Sequence, residues 1–86
     1  MKLNPYFIRH NMDGMALLVP VTGADFHGIV QGNKSVDVIL ECLQNDTTEE
    51  EIVNVMCARF EGDRAVIAAD VADVVSRLKE IGAIDE

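Results

Sequence analysis

Residues 15–32, MALLVPVTGADFHGIVQG, constrain the fold more than any other part of the sequence. An apolar run at 15–20 ends in a proline, residues 22–25 have turn chemistry, and residues 26–30 form a second run rich in β-formers. The two runs predict neighbouring strands of a small sheet. Gly28 lies inside the second run, and a glycine within a strand marks a bulge or the close approach of another backbone. We therefore predict that this run is an edge strand whose open edge is used for binding.

The flanking sequence predicts one more strand before this stretch and three helices after it. Residues 6–10 predict the first strand, and residues 11–14, which end in Asp-Gly, predict the turn that follows. Asn33 or Ser35 is expected to cap the first helix. Helical spacing assigns to its buried face Val36, Ile39, Leu40 and Leu43, and to its solvent-facing side Asp37, Glu41 and Gln44.

The second and third predicted helices begin at recognisable caps. Residues 48–51, TEEE, form a capping box in which the Thr48 hydroxyl accepts from the third amide and Glu51 reaches back to the amide of Thr48. Asp63 is expected to cap the third helix, and Gly82 to end it. The third helix has the most regular apolar stripe of the sequence, which runs through Val66 or Ile67, Val71, Val74, Val75, Leu78 and Ile81. Residues 83–84 are expected to fold back onto the core.

This pattern predicts a single α+β domain over residues 1–86, with a three-stranded antiparallel sheet followed by three helices in a winged-helix-like arrangement. The net charge of −8 argues against nucleic-acid binding, which needs a basic face. We expect a cytoplasmic protein, since the N-terminus lacks the apolar segment of a signal peptide. Cys42 and Cys57 are interpreted as small buried hydrophobic residues, with no disulfide and no zinc.

The sequence offers no catalytic motif. His27 near Asp25 is the one pair that resembles a general base and its partner, but no nucleophile or glycine-rich loop accompanies it. A turn role for Asp25 and a strand role for His27 explain both residues. We therefore expect a binding module that is not an enzyme, has no catalytic residues and uses no cofactor or metal.

The order and spacing of several segments resemble the PqqD-like family across nearly the whole chain, from about residue 6 to residue 84. The segments are GMALLVPV, FHGIV, the asparagine that opens the first helix, TTEEEIV and ADVADVVSRLKEIGAI. Two positions depart from the family pattern. Gly32 stands where the family usually has a leucine, and Leu40 stands where the first helix often has a tryptophan. Gly32 is expected to loosen the end of the third strand.

The resemblance implies a peptide chaperone, the recognition element of a pathway that modifies ribosomally made peptides. The leader of a precursor peptide would add as a strand to the open sheet edge, and the domain would present it to a modifying enzyme, often a radical S-adenosylmethionine enzyme. The implied peptide-binding residues are Phe26, His27, Gly28, Ile29 and Val30 on the strand, and Val71, Val74, Val75 and Leu78 on the third helix. Ordinary core packing is the alternative explanation for about half of them.

Two other functions fit the same architecture. The open edge could pair with a second copy, which would make the chain a structural or assembly subunit and a homodimer. A winged-helix nucleic-acid-binding protein is the other alternative, which the acidic composition opposes. The sequence names neither the precursor peptide nor the partner enzyme.

Overall fold

The computed structural model describes residues 1–21 and 28–85 of the chain. Its elements, in chain order, are β1 (Lys2–Leu3), β2 (Phe7–Met12), β3 (Met15–Pro20), β4 (Val30–Gly32), α1 (Lys34–Cys42), α2 (Glu49–Arg59), α3 (Arg64–Glu80) and β5 (Ile84–Asp85). Strands β2, β3 and β4 form an antiparallel sheet in that order, and the three helices follow it. This confirms the predicted α+β fold with its winged-helix-like order of elements.

The β2–β3 hairpin is longer and tighter than the sequence predicted. Met12 pairs with Met15, so the connection is only two residues, Asp13 and Gly14. Both have positive φ, +52° and +77°, as the tight hairpin turns that suit twisted strands require. The prediction of a first strand at 6–10 and a four-residue turn was wrong at this end, because the compact turn leaves two more residues to the ladder.

The third strand of the meander lies later in the chain than predicted. Among the described residues it covers Val30–Gly32, so Gly28 and Ile29, which were predicted to lie within it, precede the strand. Phe26 and His27, together with the proposed Asp25–His27 pair, fall outside the described residues. Val30 pairs with Leu18 and Gly32 with Ala16, and both partners are fully buried. The register therefore follows the inward-facing residues of β3.

The predicted helix caps are confirmed. The Asn33 side chain accepts a hydrogen bond from the Val36 amide at 3.1 Å, and the Thr48 side chain accepts one from the Glu51 amide at 3.2 Å. The Asp63 side chain accepts a hydrogen bond from the amide of the second residue of α3. The reciprocal half of the capping box was predicted wrongly. The Glu51 carboxylate accepts from the Thr47 hydroxyl at 2.8 Å, since that donor lies one turn before it.

The C-terminal segment folds back onto the core, as predicted. Gly82 has a φ of +76°, which lets the chain reverse after α3, and the Ala83 amide donates to the Leu78 carbonyl at 2.8 Å. Ala83 is fully buried, and Ile84 pairs with Leu3 in the small β1–β5 sheet. The sequence did not predict this second sheet, because two-residue strands carry no periodicity.

The core lies between the inner face of the sheet and the three helices. Its buried side chains are Phe7, Ala16, Leu18, Val38, Ile39, Leu40, Leu43, Ile52, Val53, Met56, Ile67, Val71, Val75, Leu78 and Ala83. Cys42 and Cys57 are half-buried against this core and not fully buried as predicted, because each lies at the border of its helix's apolar face. None of the helices in residues 1–21 and 28–85 is long and apolar enough to span a bilayer.

Candidate functional site

A cavity of about 220 Å³ opens between α1 and α3, beside the end of β4. Its lining combines apolar side chains with polar groups, namely Asn33, Ser35, Val36, Ile39, Met56, Asp70, Asp73 and Val74. Concave apolar surfaces with a few polar groups are typical of ligand sites. Because Asn33, which belongs to the lining, directly follows β4, we take the cavity and the open edge of β4 together as the candidate site.

The first turn of α1 is fixed against β4 by two features. Asn33 caps the helix, and its side-chain oxygen holds the Val36 amide. A Cβ added to Gly32 would lie 2.5 Å from the Val36 Cβ, so only glycine allows this close approach of strand and helix. The leucine that is usual in the family would not fit this arrangement. As a result, Val36 lies directly between the strand and the cavity.

The opposite wall is one side of α3. Val74 is half-buried and lines the cavity, together with Asp70 and Asp73. Asp73 pairs with Arg77 at 3.2 Å, and both side chains are largely exposed. The other side of α3 is in the core, where Val71 and Val75 are at most 1% exposed. The helix therefore presents a mixed apolar and acidic side to the cavity.

Strand β4 is an edge of the sheet, because β3 is its only neighbour in the described sheet. An edge strand presents unpaired backbone donors and acceptors on its outer side. Ile29, immediately before the strand, is 62% exposed. The strand that leads to Asn33 at the cavity thus presents backbone hydrogen-bonding groups, and an exposed apolar side chain precedes it.

The residues predicted for peptide binding fall into three groups. Gly28 and Ile29 immediately precede β4, Val30 is its first residue, and Val74 lines the cavity. Val71, Val75 and Leu78 are buried in the core, which matches the core-packing alternative for these positions. Phe26 and His27 lie outside the described residues. Helical periodicity could not separate Val74 from Val75, because both fall within the same apolar stripe.

On the sheet side of α1, a closed polar cluster contrasts with the cavity. Arg9 donates from Nε and Nη2 to the two oxygens of Asp37 at 2.9 and 3.1 Å, and Asn11 donates to Asp37 Oδ2 at 2.6 Å. The hydrogen bonds to Asp37, chiefly those from Arg9, hold the pKa of the Asp37 carboxyl below its usual range. The hydrogen bonds to Asp37 in turn raise the pKa of Arg9. The prediction that Asp37 faces solvent was wrong. The Asp37 side chain is buried, and its hydrogen-bond partners on β2 satisfy the carboxylate there.

The remaining polar groups do not assemble into a metal site in the part of the chain that the structure describes. No three His, Cys, Asp or Glu side chains there are close enough together to hold a metal ion. Burial raises the pKa of the Cys42 thiol, which disfavours the reactive thiolate. Glu41 pairs with Arg59 at 3.0 Å across two exposed helix surfaces.

Residues 15–84 match the family described as Coenzyme PQQ synthesis protein D (PqqD), so this chain belongs to the PqqD family. The match covers the sheet from β3 onward and all three helices. No curated protein matches the sequence.

Two solved structures share the fold. One is TbiB1 in complex with the TbiA(beta) leader peptide, at 24% identity and a TM-score of 0.77, with 99% of this chain and 100% of that chain covered. The other is a lasso peptide synthetase B1 complexed with the leader peptide, at 21% identity and a TM-score of 0.75, with 95% and 93% covered. At these identities the likeness establishes the fold.

Proposed function

We propose that this chain is a non-catalytic domain that binds the leader of a ribosomally made precursor peptide and presents it to a modifying enzyme. The leader adds as a strand to the outer side of β4 and places side chains in the cavity between α1 and α3. The observation that carries this proposal is the adjacency of an open strand edge and a partly apolar cavity. Membership of the PqqD family supports it, as do the two structural neighbours, which are complexes with leader peptides.

Strand addition suits the geometry of this edge. Main-chain hydrogen bonds to β4 hold a peptide whatever its sequence, and alternate side chains then supply specificity. Every second side chain of the added strand points to the same face of the sheet. The side chains of the added strand that point toward the helices would lie next to Gly32 and Val36, beside the cavity.

The energetics allow useful affinity. A cavity of about 220 Å³ accommodates a large side chain, given that an engineered apolar cavity of about 150 Å³ binds benzene. Full burial of each apolar leader side chain contributes about 1.5–3 kcal/mol. Micromolar binding requires about 8.2 kcal/mol net. Two or three buried side chains contribute about 3–9 kcal/mol toward that total, and the main-chain hydrogen bonds to β4 add to it.

The partner enzyme is proposed from the family resemblance, and a radical S-adenosylmethionine enzyme is the class that it implies. The domain supplies no chemistry of its own in this proposal. Its task is to raise the effective concentration of the precursor peptide at the enzyme. A copurification of the chain with the enzyme encoded beside it, with and without the precursor, tests this part separately from peptide binding.

The test of peptide binding uses two matched substitutions of exposed isoleucines. Ile29 adjoins the β4 edge and Ile8 lies on the outer face of β2, and they are 62% and 46% exposed. We expect Ile29→Gln to weaken binding of the leader encoded next to this chain, measured by calorimetry. Ile8→Gln should leave the affinity unchanged.

Two results would contradict the proposal. The first is a leader that binds both variants as well as it binds the unmodified chain. The second is no binding of the leader at all, with the chain forming a dimer through β4. In that case, the assembly-subunit alternative is correct.

A further inference from the structure

We propose that the bound leader carries a lysine or arginine next to the apolar side chain that it buries, and that Asp70 and Asp73 select this residue. The inference rests on the proposed function and adds the charge of the ligand to it. The two carboxylates belong to the cavity lining, so the groove has a defined shape and carries negative charge.

The positions of the two aspartates on α3 place them together. Residues three and four apart on a helix are neighbours on its surface, so Asp73 and Val74 both flank Asp70. All three line the cavity. A basic side chain can therefore pack its aliphatic stem on Val74 while its charged end reaches both carboxylates.

The carboxylates have capacity for a further cation. In the described part of the chain, no ion pair involves Asp70. Asp73 has Arg77 as its partner, but that pair is exposed, at 61% and 76%, and such pairs contribute little. A cation from the leader could bind Asp70 directly and share Asp73 with Arg77. By contrast, the Asn33 side chain is already engaged in capping α1.

The overall charge acts in the same direction. The chain carries −8 at neutral pH, and a cavity with carboxylates in its lining concentrates that field at the binding site. Charge complementarity of this kind raises the association rate and suppresses acidic competitors more than it raises affinity. An acidic residue at the same leader position would face Asp70 and Asp73 and should be excluded.

A display selection tests the inference without knowledge of the natural precursor. A library of random 12-residue peptides is selected on the unmodified chain and on the double variant Asp70→Asn/Asp73→Asn. We expect the unmodified chain to enrich peptides with a lysine or arginine beside a large apolar residue. The double variant should enrich the apolar residue alone.

The possible outcomes distinguish failure of the charge selection from failure of peptide binding itself. Enrichment of apolar residues without a basic neighbour on the unmodified chain would overturn the charge selection and leave peptide binding intact. Failure to enrich any peptide would overturn the proposed function and the inference with it.

Affinity measurements on the strongest selected peptide provide the second readout. Asp70→Asn/Asp73→Asn should weaken binding roughly three- to tenfold at low salt, and the difference should shrink at high salt because salt screens exposed charges. The control is Glu61→Gln/Glu80→Gln, which removes the same charge; Glu80 lies about 15 Å from Asp70 along α3. Equal losses in both double variants would show that net charge alone acts, contrary to the inference.

Discussion

Two adjacent residues of α1 serve opposite regions of the molecule. Asp37 turns to the sheet, where Arg9 and Asn11 satisfy both of its oxygens. Val36 lines a cavity that no side chain of the described chain fills. The first region is closed and its polar groups are paired, which is the signature of a structural contact. The second is concave, partly apolar and adjacent to an open strand edge. The cavity beside β4, and not the polar cluster at Asp37, is therefore the surface available for a ligand.

The largest expected effect separates two neighbouring valines of α3. Val75 is 1% exposed, so Val75→Asp places an unpaired charge in the core and should cost more than about 4 kcal/mol. Val74 lines the cavity, and Val74→Asp should leave the domain folded while it weakens leader binding at least about tenfold. Circular dichroism and calorimetry measure the two effects. Equal unfolding by both substitutions would remove the distinction between the core side and the cavity side of α3.

The next effect compares two ion pairs. Asp37→Ala leaves Arg9 and Asn11 without their acceptor and should lower the free energy of unfolding by about 2–3 kcal/mol. Glu41→Ala breaks an exposed pair with Arg59 and should cost far less. Urea denaturation of both variants checks this order. Neither substitution should change leader affinity in the folded protein, because neither residue lines the cavity.

These two cases also show what the sequence could and could not predict. The caps at Asn33, Thr48 and Asp63 were predictable, because each depends on residues within one turn. The burial of Asp37 was not, because its partner Arg9 lies 28 positions away and the helical pattern alone puts Asp37 on the polar side. A pattern read along one helix cannot reveal a partner on a distant strand.

The candidate site was predictable only in part. The sequence predicted a groove between the third strand and the third helix, whereas the residues that line the cavity belong to α1 with its cap, to α2 and to α3. The register of β4, however, depends on its pairing with Ala16 and Leu18 of β3. The cavity depends on how far α3 lies from α1, which is a consequence of packing and has no local sequence signal. For this reason, Val74 could be named from the sequence only as one member of a stripe.

A smaller effect is expected at the junction of β4 and α1. The Cβ in Gly32→Ala would meet Val36 at 2.5 Å, and the resulting shift should cost about 1–3 kcal/mol. Val36→Ala makes room, so the double variant should lose less stability than the sum of the single variants. A double-mutant cycle by urea denaturation measures this coupling. Strict additivity would mean that Gly32 and Val36 do not constrain each other.

The smallest expected effect is a pH dependence. Because the pKa of Asp37 is lower in the folded chain, the unfolded chain binds more protons between the two pKa values. The stabilisation is therefore complete above the ordinary aspartate pKa of about 4 and is lost as the pH falls through the lower, folded-state value. Asp37→Asn should be less sensitive to acid than the unmodified chain over this range. Parallel stability curves from neutral pH to acid would contradict this account.

The most direct test of the central claim is an amide chemical-shift titration of the folded chain with the leader encoded next to it. Strand addition at β4 with insertion into the cavity predicts the largest shifts at residues 28–32 and 70–74. The β2 edge, which is the other edge of the same sheet, serves as the internal control and should change little. If the largest shifts instead cluster on β2, or on any surface away from both β4 and α3, the proposed site is wrong.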